Sequence, residues 1–367
     1  MRLAENNALP PPRETPLMHD FFRTLDLRLP LIQAPMAGVQ DARLALAVAR
    51  AGALGSLPCA MLGPEALAQN LHTLRQALGP QGVFNLNFFC HPEPAITAEA
   101  QTRWHAALAP LYQELGVAQT PPPLQSGRQP FSAALADAIE PFRPPVLSFH
   151  FGLPAPELLA RVKSWGARVL ASATTVAEAQ WLQTHGADAI IAQGLEAGGH
   201  RGHFLSLDVS AQMGTFALVP QIVDAVRLPV IAAGGIASPR EVRAALALGA
   251  AGVQAGTAYL LADEAQTSAL HRQALRSPAA RHTVLTRAFT GGAARGIRNR
   301  AITALQAQEA AIPAFPLAAS GIAPLRERAE AQGSGEFSPL WSGQNNHALR
   351  EASAEAITQW LGEGVAD

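Results

Sequence analysis

The residues best suited to chemistry in this chain cluster in one segment, Ala192-Gln193-Gly194-Leu195-Glu196-Ala197-Gly198-Gly199-His200-Arg201-Gly202. Four glycines stand within the nine residues from Gly194 to Gly202. Glycine has no Cβ, so such a backbone can lie close against a ligand. The segment carries one histidine, His200, the side chain best matched to proton transfer near neutral pH. It follows the apolar run Ala189-Ile190-Ile191, which reads as a buried strand. A strand that ends in a glycine-rich loop with a histidine is the pattern of an active-site rim.

Two further groups of residues have chemistry at comparable strand ends. Gln193, Asn87 and Gln254 are amides placed where a flat heterocycle would sit. An amide both donates and accepts, which suits the pyrimidine edge of a flavin. Ala34 and Met36, in Ala34-Pro35-Met36-Ala37-Gly38, could pack on its ring. Ala233-Gly234-Gly235-Ile236 and Gln254-Ala255-Gly256-Thr257 end two consecutive units. Their glycines can expose backbone N–H groups, Thr257 adds a hydroxyl, and a following helix adds its dipole, so a phosphate could be held there without lysine.

Other candidates have plainer readings beside the chemical one. His150 ends the run Ser148-Phe149-His150-Phe151-Gly152, either as a second catalytic group or as a core histidine with its hydrogen bonds satisfied. Glu196, His200 and His203 lack the spacing of a zinc helix, and a glycine-rich loop holds a metal poorly, so no metal is expected. Phe289 to Asn299 contains Arg295 and Arg298. Those arginines could meet an anion, but are better read as pinning this segment to the rest of the fold.

These residues need a scaffold that gathers strand ends. Eight short apolar runs read as strands: Leu31–Ala34, Ala53–Leu57, Phe84–Phe89, Val146–Phe151, Arg168–Ala173, Ala189–Gln193, Val230–Ala233 and Gly252–Ala255. They lack polar alternation, as strands buried on both faces do. Helical patterns lie between them, at Asp41–Arg50, Pro64–Ala77, Pro154–Trp165, Thr175–His185 and Ser238–Leu248. Ser238 before Pro239 reads as an N-cap with proline at the first turn, and Gly249 as the stop. Thr174 or Thr175 reads as an N-cap with Glu178 completing a capping box. Eight strand-then-helix units predict a (β/α)8 TIM-type barrel, with a doubly wound sheet as the alternative. In such barrels the active site lies at the C-terminal ends of the strands, where all of these residues fall.

The predicted organisation is an N-terminal extension over residues 1–29 and a barrel over 30–262 that carries an insertion at 91–145. A mainly helical, lid-like region and tail over 263–367 follows. The insertion is expected to hold a helix at Thr97–Leu115 and a loop through Pro121-Pro122-Pro123. Helices are expected at Ala265–Leu275 and Ala348–Leu361, the latter packing back on the barrel, with a loop at Gln332–Ser342.

Composition narrows the function. Nearly half of the 367 residues are hydrophobic, 15% are charged and the formal net charge is −1. That leaves no basic surplus for nucleic acid. No run is long and apolar enough for a membrane span, and residues 1–14 lack a signal core. Cys59 and Cys90 form no motif and fit a reducing, cytoplasmic setting. Lys163 is the single lysine, which argues against Schiff-base chemistry and leaves no Walker lysine.

Taken in order, these motifs resemble the flavin-dependent nitronate monooxygenases, also known as 2-nitropropane dioxygenases. Ala34–Gly38, Asn87-Phe88-Phe89-Cys90-His91, Ser148–Gly152 and Glu196–Gly202 carry the resemblance, with Gly234–Ile236 and Gln254–Thr257. It spans roughly Leu31 to Asn299, and more loosely Leu340-Trp341-Ser342-Gly343-Gln344. It implies FMN bound non-covalently at the barrel mouth, with Met36, Asn87, Gln193, Gly198, Gly235, Gln254, Gly256 and Thr257 as contacts. Ala34, Gly199, Gly234 and Ala255 complete the candidate cofactor-binding set. His200 is implied as the base for neutral nitroalkanes and as a positioning group for nitronates, with His150 as a second catalytic candidate. The implied substrates are O2 and an alkyl nitronate of the propionate 3-nitronate type, giving a carbonyl product and nitrite in a detoxifying reaction. Only Tyr112 and Tyr259 are present, so any substrate contact that the family makes through tyrosine is absent or replaced here. The alternatives on the same scaffold are an NAD(P)H-dependent FMN reductase of quinones or enoyl thioesters and, further off, a non-catalytic FMN-binding protein. No Gly-x-Gly-x-x-Gly fingerprint follows an early strand, which leans against a separate dinucleotide site.

Overall fold

In a computed structural model, which describes residues 17–118 and 120–365, eight parallel strands form one sheet. They are β1 (Leu31–Gln33), β2 (Ser56–Pro58), β3 (Asn85–Phe89), β4 (Val146–His150), β5 (Arg168–Ala173), β6 (Ala189–Gln193), β7 (Val230–Ala233) and β8 (Gly252–Ala255). Each pairs with its successor from β2 to β8, and β8 pairs back with β1, with Gln33 opposite Ala255. A parallel bridge between Ile32 and Leu54 brings β1 to the approach of β2 and closes the ring. The expected (β/α)8 barrel is therefore the fold. Every strand lies within a few residues of its predicted bounds, because buried Val, Ile, Leu and Ala runs leave little freedom.

The barrel interior changes character along its axis. Phe22, Ile32, Leu54, Val146, Leu170, Ile191 and Ile231 fill one part of it with apolar side chains. Phe22 comes from the helix Leu17–Thr24 and lies so close to Gly252 that a Cβ there would meet its ring. Other inward positions are polar, at Ser56, Asn85, Asn87, Ser148, Ser172 and Gln193. The outer layer packs alternate residues of the same strands, such as Ile190, Ala192, Val253 and Ala255, against Leu44, Val48, Leu218, Ile222 and Val242 of the helices.

Local signals explain most helix ends. Ser238 accepts the Arg240 N–H and Gly249 leaves the helix at φ +93°. Thr175 accepts the Glu178 N–H, as an N-cap should. Glu178 does not close the expected capping box on Thr175. Its Oε2 instead accepts the N–H and hydroxyl of Thr174, at 2.7 and 2.8 Å. Its other oxygen accepts the Phe204 N–H at 2.7 Å, tying the segment after His200 to the barrel.

The remaining chain forms a cap. The insertion helix Ala98–Glu114 packs Trp104 and Leu108 against Ile322 and Leu325 of the post-barrel helix Ala318–Ala331. Trp104 sits so close to Gly321 that a Cβ there would be 2.5 Å from Nε1. The post-barrel helix expected from Ala265 begins at Ala269, where Ser268 caps it. The tail helix begins at Ala354 rather than Ala348, capped by Ser353. It packs Ile357 and Leu361 beside Leu44, Val48, Val242 and Ala245, and so takes the place of the helix after β8. Residues 1–16 of the expected extension lie outside the described residues.

Candidate active site

The strand ends open into a cavity of about 300 Å³. Side-chain networks carried by β1 to β4 support it from behind its lining. Gln33 donates to Gln40 at 2.7 Å and accepts the Ser56 N–H at 3.0 Å. Gln40 Oε1 in turn accepts the Met36 N–H at 2.9 Å, which fixes the loop after β1. Asn85 donates to Ser56 and Ser148 at 2.9 Å each. Asn87 Nδ2 donates to Ser148 Oγ at 3.0 Å, leaving its Oδ1 for a ligand. Gln254 Oε1 is buried without a hydrogen-bond partner among the described residues. A buried acceptor left open in this way is costly unless a ligand supplies the donor.

Gln193 has a different task from the one expected. Its Nε2 donates to the His200 carbonyl at 2.9 Å and its Oε1 accepts the Gly202 N–H at 2.8 Å. Both ends of the amide hold the histidine segment, and the side chain still borders the cavity. Ala255 also departs from expectation. It faces the outer core with Val253, and does not line the cavity, because alternate residues of β8 point to opposite sides. The other candidates, Ala34, Met36, Asn87, Gly198, Gly199, Gly234, Gly235, Gln254, Gly256, Thr257, His150 and His200, all border this one cavity.

His200 is not on a free loop. Gly199–His200 forms a short strand against Ala294–Ile297, itself paired with Thr283–Thr286. Arg201 follows with no exposed surface. Its guanidinium donates to the carbonyls of Gly194 and Gln193 at 2.8 and 2.7 Å and to Gln212 at 2.8 Å. Glu196, weighed above as a metal ligand, accepts the Thr215 N–H at 2.8 Å and so caps the helix Thr215–Ala225. His203 Nδ1 meets the Gln212 amide at 3.1 Å. Arg295 donates to the Leu195 carbonyl at 2.8 Å, the pinning role that the sequence favoured.

The His200 ring lies among Phe89, Phe151, Phe315 and Trp341, with the Phe315 centroid 5.1 Å away. Its Nε2 is 2.8 Å from Thr290 Oγ1. Burial, and after it the positive charge of Arg128, holds its pKa well below the usual 6.5, so the imidazole is neutral. His150 Nε2 lies 3.1 Å from the His200 carbonyl and Nδ1 lies 3.0 Å from Ser172 Oγ. A carbonyl only accepts, so Nε2 carries the proton and Ser172 donates to Nδ1. Burial pushes the His150 pKa down to about 4. Both nitrogens are engaged, as in the core-histidine reading.

At the far side, Gly234 and Gly235 adopt φ +113° and +74°, a region glycine enters without strain. No described residue accepts a hydrogen bond from the N–H of Gly235 or Gly256. A strap from the tail lies over them; Gly343 belongs to the loosely matching segment Leu340–Gln344, while Asn345 carried no sequence signal. Asn345 donates to the Gly235 carbonyl at 2.7 Å, and the Gly343 N–H donates to Thr257 Oγ1 at 2.9 Å. A Cβ on Gly198 would come within 2.6 Å of the Gly343 nitrogen, so glycine there lets the strap close. Arg128, from the insertion, also borders the cavity and carried no sequence signal. A chamber bordered by open amide acceptors on Asn87 and Gln254, free backbone donors at Gly235 and Gly256 and a neutral histidine suits a flat, phosphorylated redox cofactor and a small substrate.

Comparison with known proteins agrees with the geometry. The family model described as nitronate monooxygenase matches residues 18–363. A nitronate monooxygenase of Pseudomonas aeruginosa is 39% identical over 347 residues, covering 94% of this chain and 98% of that protein. One from Paraburkholderia phytofirmans is also 39% identical, covering 91% and 92%. Among solved structures, a nitroalkane oxidase from Streptomyces ansochromogenes superposes with a TM-score of 0.84 at 36% identity, covering 94% and 98%. FabK from Thermotoga maritima superposes less closely, with a TM-score of 0.71 at 25% identity and coverage of 94% and 95%.

Proposed function

The chain belongs to the nitronate monooxygenase family, and from that premise we propose that it oxidises alkyl nitronates with O2 to a carbonyl product and nitrite, with FMN as its cofactor. Family membership implies a flavin, and the choice of FMN rests on the single phosphate-sized cradle at Gly235, Gly256 and Thr257. The observation that carries the reading is the neutral His200, held rigidly at the rim of a cavity whose open acceptors on Asn87 and Gln254 fit a flavin ring. When bound, the flavin supplies the redox chemistry, taking electrons from the nitronate and passing them to O2.

The chain's own residues do the rest. Asn87 and Gln254 would hold the ring edge, an amide oxygen accepting from its single N–H, and the N–H groups of Gly235 and Gly256 would meet the phosphate. The strap at Gly343 and Asn345 shields that end from water. Thr290 Oγ1 can accept from His200 Nε2, which leaves the Nδ1 lone pair as the site that would take the proton of a neutral nitroalkane. A nitronate has already lost that proton, and towards it the other tautomer, with Thr290 donating to Nε2, would offer the Nδ1–H to the anion. His150, Gln193 and Arg201 hold the His200 backbone, so we assign them positioning roles. The test is to incubate the holoprotein with propionate 3-nitronate in air. Nitrite release with oxygen uptake is expected, and its absence overturns the reading.

A further inference from the structure

Within the insertion, between the helices Ala98–Glu114 and Ala133–Ile139, a loop reaches the active-site cavity. Leu124 anchors one end of the loop in the core of the cap, and its N–H donates to Gln101 at 3.2 Å. Phe131 anchors the other end among Phe88 and Phe149, with its N–H on the Phe89 carbonyl at 2.8 Å. Between these anchors stands Arg128, which borders the cavity. Its guanidinium carbon lies 5.9 Å from the centre of the Phe315 ring, the same ring that packs 5.1 Å from His200.

Charge around the cavity is unbalanced. Three charged side chains border it, Arg128, Arg326 and Glu330. Arg326 is paired with Glu330 at 2.7 Å. Arg128 forms no ion pair, and its guanidinium donates no hydrogen bond to any described residue. A guanidinium presents five donors in a planar fork that matches a carboxylate. Half-buried over the Phe315 ring, the guanidinium is held by a cation–π contact while its N–H donors stay open to an anion that enters the cavity. The same charge disfavours protonation of His200. An anion on Arg128 thus leaves His200 freer to act at a neighbouring position.

Resting on the function proposed above, we propose that Arg128 is a specificity residue that binds a carboxylate at the end of the substrate remote from the carbon reacting beside His200. What is new is the residue: Arg128 is the group that lets the site favour a carboxylated nitronate over the nitronate of a plain alkane. The insertion, otherwise a packing element of the cap, thereby sets substrate choice.

The test compares wild type with Arg128→Gln and Arg128→Lys on two substrates, propionate 3-nitronate and propyl 1-nitronate. Arg128→Gln is expected to raise KM for the carboxylated nitronate by about 10-fold or more, as loss of a charge-assisted pair does, and to change KM for the propyl compound by less than about 2-fold. Arg128→Lys should recover part of the loss. Equal losses on both substrates would place the nitronate group itself on Arg128, and no loss on either would leave it without a substrate role; both results overturn the proposal. Binding is followed independently by titrating the holoprotein with propionate, which does not react, and reading tryptophan fluorescence from Trp341. Saturable binding in wild type that weakens at least about 10-fold in Arg128→Gln supports the carboxylate site even if neither nitronate turns over. Binding that is absent, or unchanged in the variant, contradicts it.

Discussion

The Nε2 of His150 lies 3.1 Å from the backbone carbonyl of His200, and that same oxygen accepts Gln193 Nε2 at 2.9 Å. The candidate base is therefore held by its own main chain. Two strand ends, β4 and β6, converge on one carbonyl, and this fixes where the imidazole stands.

This arrangement makes His150 a positioning residue. Replacing it with Phe removes one bond to the carbonyl and strands the Ser172 hydroxyl, so kcat/KM for a nitronate should fall about 10-fold, with cofactor retained. The pH profile of the remaining activity should keep its shape. A profile that loses an ionisation in the variant would show His150 moving a proton itself.

His200→Asn separates the two roles assigned to the imidazole. The variant should still bind its flavin. Turnover of a neutral nitroalkane should drop by roughly 100-fold or more, as loss of a general base does, while turnover of the matching nitronate drops less than about 10-fold. Steady-state kinetics on both forms of one compound decide the matter. Equal losses would remove the base role.

Gly235 sits at φ +74° with its N–H free, so Gly235→Val strains the turn by on the order of 1–2 kcal/mol and crowds the phosphate cradle. The purified variant should contain much less flavin per chain while its far-ultraviolet circular dichroism matches wild type. Full flavin content in the variant would move the phosphate elsewhere.

Buried histidines tie stability to pH. Burial lowers the pKa of His150 and His271 from 6.5 to about 4. Above pH 6.5 both are neutral whether folded or unfolded, and stability is at its full value. As pH falls from 6.5 towards 4, the unfolded chain takes up protons that the folded chain refuses. Each histidine then removes up to about 1.4 kcal/mol per pH unit. The urea midpoint should fall steadily between pH 7 and pH 5. A flat or rising midpoint would mean that these rings are charged in the fold.

The sequence made the barrel legible because its strands are short, apolar on both faces and separated by helices with side-chain caps at Asp41, Thr175 and Ser238. The helix Thr215–Ala225 gave no such signal. It starts at Gly214 without a side-chain cap of its own, contains Pro220, and is capped by Glu196 from 19 residues away. The helix Ala318–Ala331 likewise lacks a side-chain cap and carries Pro324. At the site, glycines and amides at strand ends marked the cavity, but not what each amide does there. Gln193 and Gln254 read alike, yet one braces the histidine segment and the other is open. Strand parity would have set Ala255 aside, since Gln254 and Ala255 must face opposite ways. Arg128 and Asn345 reach the cavity from remote segments and carry no local pattern, and Thr290 and Gly343 stand in segments whose sequence did not show that they meet His200 and Thr257.

Mixing the purified yellow holoprotein with propionate 3-nitronate in the absence of oxygen, and separately with NADH, tests nitronate oxidation at this site most directly. Rapid bleaching of the visible flavin band by the nitronate, with recovery on admitting O2 and no response to NADH, is the expected result. Bleaching by NADH alone would contradict it and make the protein a reductase.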